Sequence, residues 1–275
     1  MLHRTALIVL ATASCVLAQE SHTVTFDDGA NEGGWTFFWA LESIEPAGGN
    51  PGWYLHGDCP DPKNLQCMDV PFLRTGTTWA SSFFTGNLRE KNVTAMGIDA
   101  ILHWVGNSAE DRPMSLVLFN DNGTPGDPFD DCFAYSLGAD IPLPGQGWIS
   151  YDYEVSSQSK TLPQGWNIFF ECNSDPDAQW NRIIQDTTKV FFTWAHPESF
   201  AIFQMWDPGV DNIRVTVGSV CQADCDQNGE LNTVDFLCYL NLFSNGDPLA
   251  DFNGDGVVNT LDFLAYLNAF SAGCG

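Results

Sequence analysis

The side-chain oxygens between residues 224 and 262 are spaced as ligands for a hard cation. Asp224-Cys-Asp-Gln-Asn-Gly-Glu-Leu-Asn-Thr-Val-Asp235 recurs 27 residues later as Asp251-Phe-Asn-Gly-Asp-Gly-Val-Val-Asn-Thr-Leu-Asp262. Each copy has the order of a twelve-residue Ca²⁺ loop: oxygens at positions 1, 3 and 5, Gly at 6 for the sharp turn, a backbone carbonyl at 7, an amide at 9 and a carboxylate at 12. The expected ligands are therefore Asp224, Asp226, Asn228, Glu230, Asn232 and Asp235 in the first loop, and Asp251, Asn253, Asp255, Val257, Asn259 and Asp262 in the second. Ca²⁺ gathers about six to eight oxygens around one point, which accounts for the alternation. An Asp/Asn/Gly-rich surface turn is the competing reading, but it does not explain two copies in register.

Each loop must be held by the segment C-terminal to it. Phe236, Leu237, Leu240 and Phe243, and likewise Phe263, Leu264, Leu267 and Phe270, recur at i, i+1, i+4 and i+7, so two amphipathic helices with facing apolar stripes are predicted. From Cys221 onward there are eight acids and no Lys, Arg, His or Trp, a density that points to metal or to a solvated tail. For the whole chain, Lys+Arg 10 against Asp+Glu 35 gives a net charge of −25, which argues against nucleic acid as a partner. Aromatic content of 13% with only 16% charged residues separates this acidity from that of a disordered chain.

Export is expected. Met1–Arg4 form a short basic start, Thr5–Leu17 an apolar run and Val16-Leu17-Ala18 a small-residue cleavage site, so residues 1–18 read as a signal peptide. No later stretch is apolar enough for membrane insertion. Removal of Cys15 leaves eight cysteines, four up to Cys172 and four from Cys221, so two internally bridged domains are predicted, 19–220 and 221–275.

The duplicated segment resembles the type I dockerin domains: two Ca²⁺ loops with Asp at position 12, no helix before the first loop, and flanking Cys221 and Cys274 as in the planctomycete variety. The resemblance implies a small all-α, paired EF-hand-like domain. It also implies a cohesin-like partner at the duplicated helix faces, at Thr233, Val234, Leu240 and Asn241 and at Thr260, Leu261, Leu267 and Asn268. Closure of the ends by Cys221–Cys274 and a Cys225–Cys238 bridge are the expected disulfides.

The long first part reads as mainly β. Strands are expected at Thr23–Phe26, Trp35–Ala40, Met96–Trp104, Ser115–Phe119, Trp148–Val155, Trp166–Glu171, Lys189–Trp194 and Asn212–Val217, with Trp180–Gln185 as a turn of helix. Phe26-Asp-Asp-Gly, Trp35 and Asp211-Asn-Ile-Arg-Val-Thr resemble the galactose-binding-like and laminin-B-like jelly rolls, which implies a β-sandwich. In such folds acids at the first and last strands often share a structural Ca²⁺, making Asp27 or Asp28 with Asp211 a third candidate site; the competing reading is turn capping. Ten Trp suggest a polysaccharide ligand, although bulky aromatics also fill sandwich cores. The acidic stretch Asn120–Asp131 reads as a hairpin connection. Cys59–Cys67 and Cys132–Cys172 are one of three pairings open to the first four cysteines. Asp152 and Glu154, two apart on one strand, and Glu171 leave a rival open, a small glycoside hydrolase carrying the same anchor. The preferred reading is a secreted, non-catalytic module that binds glycan or extracellular matrix.

Overall fold

A computed structural model of the chain describes residues 21–38, 41–58, 68–74, 83–106, 112–124, 131–169, 174–198, 204–218, 221–226 and 231–273. The expected signal segment lies outside them, as do Asn228, Glu230, Glu171, Cys59, Cys67, Cys172 and Cys274.

The first strands are β1 (His22–Val24), β2 (Thr36–Phe38), β3 (Leu41–Gly49), β4 (Gly52–Asp58), β5 (Met68–Arg74) and β6 (Val93–Val105). They are followed by β7 (Pro113–Asn120), β8 (Cys132–Asp140), β9 (Ile149–Glu154), β10 (Trp166–Phe169), helix α1 (Pro176–Gln185), β11 (Lys189–Thr193) and β12 (Gln204–Val217). The strand pairings are antiparallel. One sheet runs β9-β6-β12-β4-β3, with β1 taking the place of β4 along the second half of β12. The other runs β10-β8-β7-β11-β5-β2, and β12 joins it at Gln204 and Met205 opposite Asp69 and Met68. Asn120 pairs with Cys132, so β7 and β8 form an antiparallel pair, as a hairpin requires; residues 125–130 of the acidic stretch lie outside the described residues.

Period-2 alternation sets the two faces. On β9, Tyr151 and Tyr153 are buried between exposed Ser150, Asp152 and Glu154. Met96, Ile98 and Val215 of the first sheet share one core with Met114, Leu116, Leu118 and Phe192 of the second. Helix α1 begins where Asp175 accepts a hydrogen bond from Asp177 N at 3.1 Å and Pro176 occupies the first turn, and it buries Trp180, Ile183 and Ile184 against the same core. Five of the eight described tryptophans, Trp35, Trp166, Trp180, Trp194 and Trp206, are buried, while Trp53, Trp104 and Trp148 are half-buried.

The expected strands are present with shifted ends, but β3, β4, β5, β8 and the first half of β12 are additions to the sequence-based expectation. β3 carries Glu42, Glu45 and Pro46, β5 carries Pro71, and β12 carries Pro208-Gly209, where the pairing with β6 is also irregular. Proline and charge disguise them as loops.

Helices α2 (Thr233–Ser244) and α3 (Thr260–Ala272), with a 3-10 turn at Pro248–Ala250 between them, enclose a separate cluster around Ala223, Tyr239, Ala250 and Tyr266. The two tyrosine rings stack 3.8 Å apart, nearly parallel. Tyr239 Oη donates to Ala250 O and Tyr266 Oη to Ala223 O, at 3.1 and 3.3 Å. The predicted stripe needs correcting: Phe236, Phe243, Phe263 and Phe270 pack against this cluster, but the central position belongs to the tyrosines. Leu237 and Leu264 are 63% and 54% exposed. Spacing i, i+3, i+7 replaces the expected i, i+1, i+4, i+7, and Leu240 and Leu267 are not part of the cluster, because adjacent helical residues stand about 100° apart and cannot share a narrow seam. Among the described residues no helix is long and apolar enough to cross a membrane.

Candidate functional site

The first duplicated loop brings Asp224, Asp226 and Asp235 together, with one carboxylate oxygen of each within 4.8 Å of the others. Among the described residues this is the one such group of three. Asp235 is fully buried and works at two places: Oδ2 accepts from Asn232 N at 2.8 Å, closing the capping box of α2, and Oδ1 accepts from Asp226 N at 3.2 Å inside the loop. The second loop repeats this geometry, with Asp262 accepting from Asn259 N at 2.8 Å and from Asn253 N at 3.1 Å. Burial pushes both carboxyls up, but the backbone donors outweigh it and hold both below the ordinary carboxylate range, charged and ready for a cation.

In the second loop, Asp251 accepts from Asp255 N and Gly256 N at 3.1 and 2.7 Å, and Asp255 accepts from Val257 N at 2.9 Å. These bonds fold the loop on its own backbone donors, but Asp251, Asp255 and Asp262 do not close into a group of three as the acids of the first loop do. Asn253 stands where the first loop has Asp226, but Asp255 stands where it has Asn228, so these exchanges cancel and the second copy has one acid fewer only because Val257 replaces Glu230. The structure gives the side-chain oxygens of Asn232 and Asn259 to the helices: each caps its helix, accepting from Val234 N or Leu261 N at 2.8 Å. The described donors are those of a hard-cation site, carboxylate and amide oxygens.

Cys225 and Cys238 form a disulfide with Cα atoms 5.8 Å apart, which ties the first loop to α2. Cys132 and Cys221 are also disulfide-bonded. Replacing Cys225 and Cys238 with serine should lower the stability of the first loop and α2 by about 2–3 kcal/mol, as closure of a short loop predicts. Denaturant titration followed at the Tyr239–Tyr266 pair measures it, and an unchanged midpoint would refute it.

The second candidate is the solvent face of the first sheet. On β4, Leu55 enters the core, so Tyr54 and His56 point the other way. Tyr54 lies under Trp148, which meets it edge-on at 5.5 Å and donates from Nε1 to Gly48 O at 2.9 Å. Its hydroxyl pairs with His103 Nε2 at 3.3 Å, and His56 Nε2 pairs with Asp207 at 2.5 Å. The two imidazole rings are 5.4 Å apart. Gly209 lies beneath this row because a Cβ there would stand 2.7 Å from Tyr54 Cε2 and 2.8 Å from Ile101 Cγ2. Burial lowers the His103 pKa, with His56 adding to the effect and Asp207 opposing it, so the ring is neutral at pH 7. Burial, Glu45 and Asp207 raise that of Tyr54. The result is a row in which the half-buried Trp148 covers the buried Tyr54 ring, with the two imidazoles and the Asp207 carboxylate beside them.

Further along the same sheet, Asp27 and Asp211 do come together, around the β3–β4 turn. Asp211 accepts from Asn50 N and Asn212 N, both at 2.7 Å, and Asp27 accepts from Trp53 N at 3.0 Å. Gly52 between them has φ +94°, and a Cβ there would collide with Asp27 Oδ1. These carboxylates hold a turn, as the capping alternative has it. Asp28 is not part of the arrangement: it accepts from Ala30 N in a local turn. Of the acids considered for catalysis, Asp152 is committed to Arg214 at 2.7 Å, and Arg214 also binds Asp99 at 2.8 Å.

Burial pushes the Asp211 carboxyl up to about 6, with Asp27 and Asp99 adding to the shift against the two backbone donors. The folded value lies above the ordinary 3.8, so this group's stabilising contribution is complete below that pH and is lost as pH rises through about 6. In chelator, melting temperature should fall from pH 4 to 7 by an amount corresponding to at most about 3 kcal/mol, and Asp211→Asn should flatten that slope. A variant with an unchanged slope would refute the assignment.

No family model matches the chain, and no curated protein does. Among solved structures, the chain is similar to the N-terminal CBM22-1-CBM22-2 tandem domain of Paenibacillus barcinonensis Xyn10C, at 11% identity and a TM-score of 0.39 over 71% of this chain and 49% of that one. It is similar to the L4b domain of human laminin alpha-2 at 11% identity and 0.33, over 54% of this chain and 79% of that one. An exo-beta-agarase gives 15% identity and 0.40, over 70% of this chain and 24% of that one. The chain spans about half the length of the first of these.

Proposed function

We propose that the protein is a secreted, non-catalytic glycan-binding module, residues 19–220, joined to a Ca²⁺-dependent dockerin-like anchor, residues 221–275. The binding half is a jelly-roll-type β-sandwich whose ligand lies on the open face of the first sheet. The observation that carries this reading is the row Tyr54, His56, His103, Trp148 and Asp207 on that face. Apolar faces of sugar rings stack on Trp and Tyr, and their hydroxyls bond to imidazole and carboxylate. With Glu45 and Asp207 beside Tyr54, the face suits an uncharged polysaccharide and disfavours a polyanion.

The anchor is a paired EF-hand-like unit in which Asp224, Asp226 and Asp235, and their counterparts in the second loop, hold two Ca²⁺. The exposed Val234, Leu237, Leu261 and Leu264 form the surface for a cohesin-like partner at the cell exterior. Separate clusters of buried side chains in the two parts support their division into two domains.

The test is retention of the full chain on insoluble neutral polysaccharides, alongside a pull-down from the native cell surface with and without Ca²⁺. Glycan retention should persist in chelator and surface capture should not. Absence of retention on every polysaccharide would overturn the glycan reading, and capture indifferent to Ca²⁺ would overturn the anchor.

A further inference from the structure

We propose that a groove where β6 begins and β9 ends is a second saccharide site, one that takes a single neutral sugar residue. It stands apart from the open-face reading and does not depend on it. The groove has a volume of about 160 Å³ and is lined by Asn92, Thr94, Glu154, Ser156, Ser157 and Gln158 above two buried valines, Val93 and Val155.

Of the eight buried side-chain polar atoms that lack a hydrogen bond among the described residues, Ser157 Oγ is the one whose residue lines this groove. Ser157 is 1% exposed, and its Oγ is buried without a hydrogen-bond partner. A buried hydroxyl left unpaired is a penalty that native structures rarely carry without reason. The loop bearing it is firmly held. Arg89 donates from Nε to Ser157 O at 2.9 Å and from Nη2 to Ser159 O at 2.7 Å, and Gln158 Nε2 donates to Arg89 O at 2.7 Å. Val155 N donates to Thr94 O at 2.8 Å, joining the two walls. The backbone of the loop is therefore fixed before a ligand arrives, and the buried hydroxyl meets a ligand by turning about χ1 into the groove.

The lining selects the ligand. Glu154 is the one charged residue of the lining, and the adjacent Arg89 guanidinium is engaged by Ser157 O, Ser159 O and Asn181 Oδ1, so the groove disfavours phosphate, sulfate and carboxylate. Serine and threonine hydroxyls, side-chain amides and a carboxylate alternate around the rim, which suits a ligand rich in both donors and acceptors. Ser156 Oγ bonds Glu154 Oε1 at 3.1 Å, leaving the second carboxylate oxygen to accept from a sugar hydroxyl. Pockets for drug-sized ligands run from about 300 Å³ upward, so this one has room for one ring and not for a chain.

The test is an amide NMR titration of the full chain with the methyl glycosides of glucose, galactose, mannose and N-acetylglucosamine, and with methylammonium chloride as a cationic control. At least one glycoside should shift the amides of residues 92–94 and 154–158 saturably, and the control should not. Ser157→Ala should weaken that binding about tenfold while leaving the melting temperature unchanged or raised, because it removes an unpaired buried hydroxyl. Trp148→Ala on the open face should leave these shifts intact, which separates this site from the polysaccharide site. The proposal is overturned if no glycoside moves these amides, if methylammonium moves them equally, or if Ser157→Ala lowers the melting temperature and leaves the affinity unchanged.

Discussion

Replacing Asp235 and Asp262 together with alanine is expected to abolish Ca²⁺ binding by the full chain and to dissolve α2 and α3. Each carboxylate closes a capping box and accepts a second backbone N–H from within its loop, and in the proposed anchor it also contributes a metal ligand. Loss of a ligand lowers metal affinity, and loss of the cap costs about 1 kcal/mol for each helix. The remaining acids of the segment, with no basic residue near them in sequence, then repel one another without a cation to compensate. Calorimetric titration with Ca²⁺, paired with circular dichroism at the helix band, reads both effects. A double variant that binds two ions and keeps its helices would remove the basis for the anchor.

The open face carries the second large effect. Trp148→Ala combined with His56→Ala should reduce retention on the preferred neutral polysaccharide at least tenfold, through loss of the stacking edge over Tyr54 and of the imidazole held by Asp207. Trp148→Phe should restore part of the loss, since it returns the ring without the bond to Gly48 O. Because neither partner relies on net charge, raising the salt from about 0.1 to about 0.5 M should change wild-type retention little. Affinity electrophoresis with the soluble polysaccharide measures all three, and equal mobility of wild type and double variant would exclude this face as the site.

The two candidate sites differ in how far the sequence reveals them. A metal loop is local: its ligands lie within twelve residues and their order is dictated by the geometry of one ion, so the duplication is readable without a fold. The open face is assembled from residues as far apart as Tyr54 and Asp207, and nothing in the neighbourhood of either announces the other. His56 sits in a strand, Gly52–Asp58, whose glycines read as turn, and Asp207 precedes the Pro208-Gly209 pair that disguises β12 as a loop. A sharper signal is present in the helices. Tyr239 and Tyr266 occupy identical places in the two copies and complete the i, i+3, i+7 seam with the flanking phenylalanines, whereas hydrophobicity alone favours Leu237 and Leu264 there.

The tyrosine pair reaches across the duplication. Tyr239, from the helix of the first copy, bonds the carbonyl just before Asp251, and Tyr266, from the helix of the second, bonds the carbonyl just before Asp224. Each helix thus steadies the first acid of the other copy's loop, and on the proposed Ca²⁺ reading occupancy of one loop prepares its twin. Ca²⁺ uptake is accordingly expected to be cooperative, with a Hill coefficient above one that falls toward one in Tyr239→Phe/Tyr266→Phe. A lone copy of the repeat has no partner for its tyrosine hydroxyl and no stacked ring against its own, and it can complete itself only by associating with a second lone copy across a two-fold axis.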